Sequence, residues 1–393
     1  QLLKIRASYG FVGSIDRNAL PFSVLRKVGN LTYDGEKIMD RYDPSNPSIK
    51  WQRQENRNIG FDASLFNNRV NLVVNYYNND TRNLLDEKKI AASTGRLAVT
   101  ANVASVNNKG WEISLRTLNI RTDDFSWVTS VNFTKNKDKV TETYYQDLSE
   151  ISASTNSTFE SLYSLYIQGQ PVRAFYGYKF AGVDPYTGNT LAYVDGFDDD
   201  GNRLGMLNAE GKYVYNMDND LTVQLANASR SYLGRSDPPI TGGFTTQFNY
   251  KRFSLFAQFT YMTGHLARSF QYYSGGTAYA AAKNVLKIEA NRWRKPGDLT
   301  DIPRYDTGRT EYLYQLFDFR FEKGDYLKCN NISLGYNLEQ SICDKLHITR
   351  ARLNFNMANV FTLTKFRGID PETKGAFTYP SARSYTFSLS IGI

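Results

Sequence analysis

Enzymes need groups that titrate or attack, and this chain of 393 residues holds few of them in useful spacing. Its two histidines are His265 and His347. No HExxH, GxSxG or phosphate-cradling loop appears. His265 follows "YMTG" at an expected strand end, where a solvated rim position is the reading. The acidic stretch "VDGFDDDGN", residues 194–202, invites a calcium reading. With Gly201 sixth in a twelve-residue calcium loop, Asp198 and Asp200 fall third and fifth, but Gly196 and Leu207 fall first and twelfth, so two ligands are missing. Asp198 and Asp200 are kept as the metal candidates beside the plainer reading of a solvated turn. No enzyme activity and no cofactor are expected.

Cysteine gives no framework either. Cys329 and Cys343 are the only two. If 325–338 and 348–359 form a hairpin, Cys343 lies in its turn and Cys329 sits about 40 Å down the strand. A disulfide needs Cα atoms within about 7 Å, so two free thiols are expected. The net charge is +8, yet no Lys/Arg run exceeds two residues, which argues against a nucleic-acid groove. Attraction to an anionic membrane surface is a second reading of that charge.

The elements that must position any site are strands. The chain holds 28 Tyr and 24 Phe while its mean hydropathy is negative, a combination suited to strands with one greasy and one wet face. Period-2 alternation recurs from end to end. Leu3, Ile5, Ala7 and Tyr9 alternate with Lys4, Arg6 and Ser8. At the other end Tyr385, Phe387, Leu389 and Ile391 alternate with Thr386, Ser388 and Ser390. Ten clear strands are expected: one at each end of the chain and eight in hairpin pairs at 57–66 with 69–79, 105–118 with 125–136, 240–250 with 252–263, and 325–338 with 348–359. Weaker candidates lie near 171–182, 212–216 and 313–321, and one loop helix near 280–293.

Turns inside the pairs are short, whereas the segments near 12–56, 80–104, 137–239 and 264–324 are long. That asymmetry is the mark of an outer-membrane barrel, with tight inner turns and long outer loops. A strand of ~10 residues, tilted about 40°, spans about 25 Å, the height of a lipid-facing band. The fold class expected is therefore all-β: a transmembrane antiparallel barrel, with 1–393 as part of one barrel domain. Lipid covers the apolar side, and the last strand closes the sheet. Lipid-facing candidates are Tyr385, Phe387, Leu389, Ile391, Phe355, Leu353, Phe259 and Leu255. Wall candidates on the wet side are Lys4, Arg6, Glu112, Arg116 and Arg352. Aromatic-rich loops at 142–166 and 269–282 suit either stacking on sugars or ordinary loop cores. A soluble carbohydrate-binding sandwich, and a structural or adhesive barrel without energy coupling, are the alternatives.

Several stretches together resemble the SusC/RagA-like TonB-dependent transporters of Bacteroidetes outer membranes. They include "IKWQRQENRNIGFDASLFNNRVNLVVNYYNNDTRNLL", "NVASVNNKGWEISL", "FYGYKFAGVDPYTGN", "NRWRKPGDLTDIPR", "GDYLKCNNISLGYNL" and "YPSARSYTFSLSIGI". The resemblance implies a 22-stranded barrel of which this chain is the C-terminal half, about 10–12 strands, without the plug domain. It also implies active import of glycan or peptide oligomers. A SusD-like surface lipoprotein would be the lid, and TonB would act through the N-terminal part. The remaining partners it implies are the other half of the barrel, outer-membrane lipid and lipopolysaccharide.

Overall fold

The computed structural model describes residues 2–14, 24–33, 36–43, 46–91, 93, 98–144, 167–194, 206–208, 211–216, 231–269, 287–304, 317–372 and 379–393. Ten strands form one large sheet: β1 (Leu2–Ser14), β2 (Gln52–Leu65), β3 (Val70–Lys89), β4 (Ala98–Arg121), β5 (Phe125–Thr143), β6 (Ile240–Tyr250), β7 (Phe253–Thr263), β8 (Tyr326–Asn337), β9 (Arg350–Thr364) and β10 (Ser384–Gly392). Each pairs antiparallel with its neighbour in sequence, so the sheet is a meander in chain order. The four expected hairpins are all present.

The turns follow from local chemistry. Between β2 and β3, Phe66, Asn67 and Asn68 all take positive φ, from 54° to 62°. Asparagine tolerates that left-handed region at little cost. Between β8 and β9 a short helix, α1 (Gln340–Lys345), fills the turn. It buries the Cys343 thiol, and Cys329 is buried in β8; both are free, as expected.

Two differences from the sequence reading have physical causes. First, β3, β4 and β5 run 20, 24 and 19 residues, into segments expected to be loops from 80 and 137. Apolar alternation ends near those points, but the hydrogen-bond ladder does not. Second, β10 does not close the sheet within this chain. Among the described residues β1 and β10 each pair with a single neighbour, so the sheet has two open edges.

Register sorts the side chains into two faces. One face carries rows such as Ile5–Phe61–Val74–Ile113–Phe133 and Trp127–Phe248–Leu255–Leu334–Phe355–Phe387. The other carries Lys4–Asp62–Val73–Ser114–Asn132 and Arg6–Gly60–Asn75–Glu112–Thr134. Of the weaker strand candidates, Ala174–Gly177, Phe180–Val183 and Tyr213–Asn216 are strands. From 313–321, the described part is Phe317, which bridges to Tyr178, the 3₁₀ turn Asp318–Arg320 and the first residue of a short strand, Phe321–Lys323. Of the loop-helix candidate near 280–293, the described part, from Lys287 on, holds a 3₁₀ turn, Lys287–Asn291; residues 280–286 lie outside the described residues. Asp198, Asp200 and most of the two aromatic-rich loops lie outside the described residues.

Candidate functional site

The polar face is a wall built by long side chains that reach across glycine gaps. Arg6 donates to Asp62 at 2.7 Å on β2 and, passing over Gly60, to Asn75 Oδ1 at 2.9 Å on β3. Arg352 on β9 passes over Gly335 and donates to Ser254 Oγ on β7 at 3.0 Å. The Tyr77 hydroxyl crosses Gly110 to donate to Asn136 Oδ1 at 2.8 Å. Each such bond skips a strand and ties three together, which ladder bonds alone do not do.

The wall candidates therefore share one face, but they do not gather into one cluster. Lys4 pairs across to Asp62, and Glu112 shares the row of Arg6. Arg116 and Arg352 stand nearer the short turns, opposite Asn71 and Asn337. All eight apolar candidates share the opposite face, where Phe355 packs on Phe387 with ring centroids 4.7 Å apart. An apolar groove of about 620 Å³ lies there, lined by Leu255, Leu353, Phe355, Phe387 and Leu389 among others.

Above the polar face, two long loops join into one body. They connect β5 to β6 and β7 to β8, adjacent strands in the sheet, so both rise from the same rim. Their contact is apolar: Phe175, Tyr178, Ala192 and Val194 from the first loop share a core with Ile302, Phe317 and Phe321 from the second. Phe317 is 1% exposed and lies 5.6–6.1 Å from the rings of Tyr178, Phe180 and Phe319. Backbone bonds lock the pairing: Asp318 N–H donates to Tyr178 O at 3.0 Å, and Arg304 N–H to Gly188 O at 3.0 Å. Trp293 donates from its indole to Pro185 O at 2.9 Å. Its ring occupies the space a Cβ on Gly188 would need, at 2.5 Å, and Gly188 sits at φ +73°. Thus "FYGYKFAGVDPYTGN" and "NRWRKPGDLTDIPR" meet in space, a relation no local pattern disclosed.

The body is anchored on the polar side of the wall. Asp138 of β5 accepts from Val172 N–H at 2.8 Å and forms an ion pair with Arg235. Residues 365–372 also fold toward that side, where Glu372 accepts from the Tyr326 hydroxyl at 3.0 Å and pairs with the almost buried Lys328. Sequence reasoning missed this group because its members lie 44–46 positions apart. His265 is corrected here: it is buried, not solvated, at 8% exposure. The strand Leu266–Arg268 pairs with Phe321–Lys323, and Gly324 packs against the imidazole.

Burial pushes the Asp318 carboxyl above the usual aspartate range, although Phe180 N–H donates to it at 3.0 Å and partly opposes the shift. A raised folded pKa means the loop body holds its proton more tightly than the unfolded chain does. Its stability is then fullest below the ordinary aspartate pKa and falls as pH climbs through the folded value. Asp318→Asn should flatten that dependence. Amide protection over 174–183, corrected for intrinsic exchange, measures it; an unchanged slope in the variant rules it out.

Residues 2–246 match the family model described as "TonB dependent receptor-like, beta-barrel". The chain belongs to this TonB-dependent receptor β-barrel family. It is 27% identical over 418 residues to TonB-dependent receptor P3 of Formosa agariphila, covering 99% of this chain and 39% of that protein. To TonB-dependent receptor SusC of Bacteroides thetaiotaomicron it is 24% identical over 408 residues, covering 99% and 37%. A solved structure of the RagAB peptide transporter superposes with TM-score 0.78 at 25% identity, covering 99% of this chain and 40% of that one. The chain thus spans about two fifths of the length of these relatives. As a member of the TonB-dependent family it is an outer-membrane barrel segment, and its open sheet edges agree with a partial barrel. No described helix is long and apolar enough to cross a membrane; here the strands cross.

Proposed function

We propose that the protein containing this chain imports oligomeric nutrients, glycan or peptide, across the outer membrane. A SusD-like surface lipoprotein closes over the barrel, and TonB supplies energy through a plug that lies outside this chain. The observation that supports this reading best is the loop body, because it sits on the polar side of the wall. Long loops interlocked over the wall would meet a solute before it enters the barrel. Likeness to the RagAB peptide transporter favours peptide as one such cargo. In this reading Lys4, Arg6, Glu112, Arg116 and Arg352 line the lumen. Tyr385, Phe387, Leu389, Ile391, Phe355, Leu353, Phe259 and Leu255 face lipid, and the apolar groove on that face takes acyl chains. The chain itself carries out no chemistry.

Deletion of the gene, followed by growth on a panel of glycans and peptides as sole nutrient, tests this. Loss of growth on one class is expected, together with the same loss in a strain lacking TonB. Normal growth on every nutrient overturns import. Loss only in the deletion strain, with TonB dispensable, overturns energy coupling.

A further inference from the structure

The last two strands of the sheet differ in length. β9 runs 15 residues, Arg350–Thr364, and β10 runs nine, Ser384–Gly392. Their ladder ends at Ala358–Ser384, while on its other side β9 stays paired with β8 up to Thr364–Tyr326. Along 359–364 the edge facing away from β8 therefore has no ladder partner. No described residue bonds to its main chain on that side. The causes are local. Pro380 has no N–H with which to extend β10 along β9. Asn359 takes a φ of 53°, and its side-chain amide donates to Ala382 O at 2.8 Å, which ties the incoming chain to the foot of the free edge.

A cavity of about 580 Å³ opens above that tie, between the free edge and residues 380–383. Thr362 and Thr364 of β9, Lys328 of β8, Pro371 and Ala382 line it. Lys328 is 5% exposed, and Glu372 balances its charge. An unpaired strand edge is a template for another extended chain. Residues 359–364 present about 20 Å of alternating donors and acceptors. A peptide main chain answers that spacing with its own N–H and C=O groups. A glycan has hydroxyls but no such alternation.

We infer that this edge binds an extended peptide as an added strand, at the long-loop end of the polar face. The inference rests on the import reading and narrows its cargo to peptide. Peptide side chains on the polar side meet Thr362, Thr364 and Lys328, while the main chain carries the recognition. Such a site accepts peptides of many sequences, because every residue except proline supplies the same ladder groups.

The test uses the full-length protein in detergent and a tryptic digest of serum albumin as the source of peptide. A hexapeptide recovered from the bound fraction is then made in two N-methylated forms, one on the odd and one on the even main-chain nitrogens. In an added strand, alternate N–H groups point at the ladder and the others away from it. One form should therefore bind about a hundredfold more weakly, since its ladder bonds are lost, and the other nearly as well as the parent. Thr362→Trp, which fills the cavity, should abolish binding. The variant's gel mobility shift on heating reports its folding; if it does not fold, Ala382→Trp, from the opposite side of the cavity, should abolish binding instead. No recovered peptide, equal weakening by both methylated forms, full binding by a folded variant, or displacement by maltohexaose overturns the inference. Import and the site fail separately: phase-dependent binding can stand beside normal growth of the deletion strain on peptides, and loss of that growth can stand beside binding that ignores methylation.

Discussion

Phe317→Ala should separate the two long loops while leaving the barrel intact. Phe317 is 1% exposed and sits at the centre of the only large apolar cluster among the described loop residues. Truncating a buried phenylalanine removes its transfer free energy and leaves a cavity, a loss of about 3–5 kcal/mol. Tyr178, Phe180 and Phe319 would each lose a ring partner. That cost falls on the loop body alone, because the strands hold themselves by ladder bonds and cross-wall contacts. Limited proteolysis should therefore cut within 174–194 and 287–304 in the variant and not in the parent. Heat-dependent gel mobility, a measure of the folded barrel, should stay the same. Under the import reading, uptake falls with the loops. Full protease protection in the variant would show that backbone bonds, such as Asp318 to Tyr178, suffice without the aromatic core.

Gly110→Val should act on the barrel instead. A Cβ at Gly110 would lie 2.4 Å from Lys135 O and 2.5 Å from the Tyr77 hydroxyl. The first is backbone of the next strand and has little room to yield. The second is the tyrosine that bridges β3 to β5 through Asn136. Valine therefore forces either the strand or the tyrosine aside. Overpacking together with a lost hydrogen bond gives about 2–4 kcal/mol of destabilisation. Tyr77→Phe, which removes the bond alone, should cost about 1 kcal/mol. Urea unfolding in lipid vesicles separates the two. If Gly110→Val is no less stable than Tyr77→Phe, the gap has no steric role.

These two positions also mark how far the sequence can be read. Alternation of apolar and polar residues sufficed for ten strands, their hairpin pairing and their two faces, because in a sheet the side-chain period is fixed at two. Arg6 and Arg352 could be placed on the wet face for that reason. The same rule could not end the strands. Where the apolar run stops, the outward positions turn to lysine and asparagine while pairing continues, so β4 runs on to 24 residues. His265 was misplaced because its cover comes from residues 321–324, nearly sixty positions away.

What the sequence determined by itself is thus whatever neighbours in the chain can encode: strand, turn and face. Only the tertiary structure decided which loops share a core, that Tyr77 needs Gly110, and that β9 outruns β10. Those facts depend on register between strands, and register is set by the whole sheet rather than by any one segment.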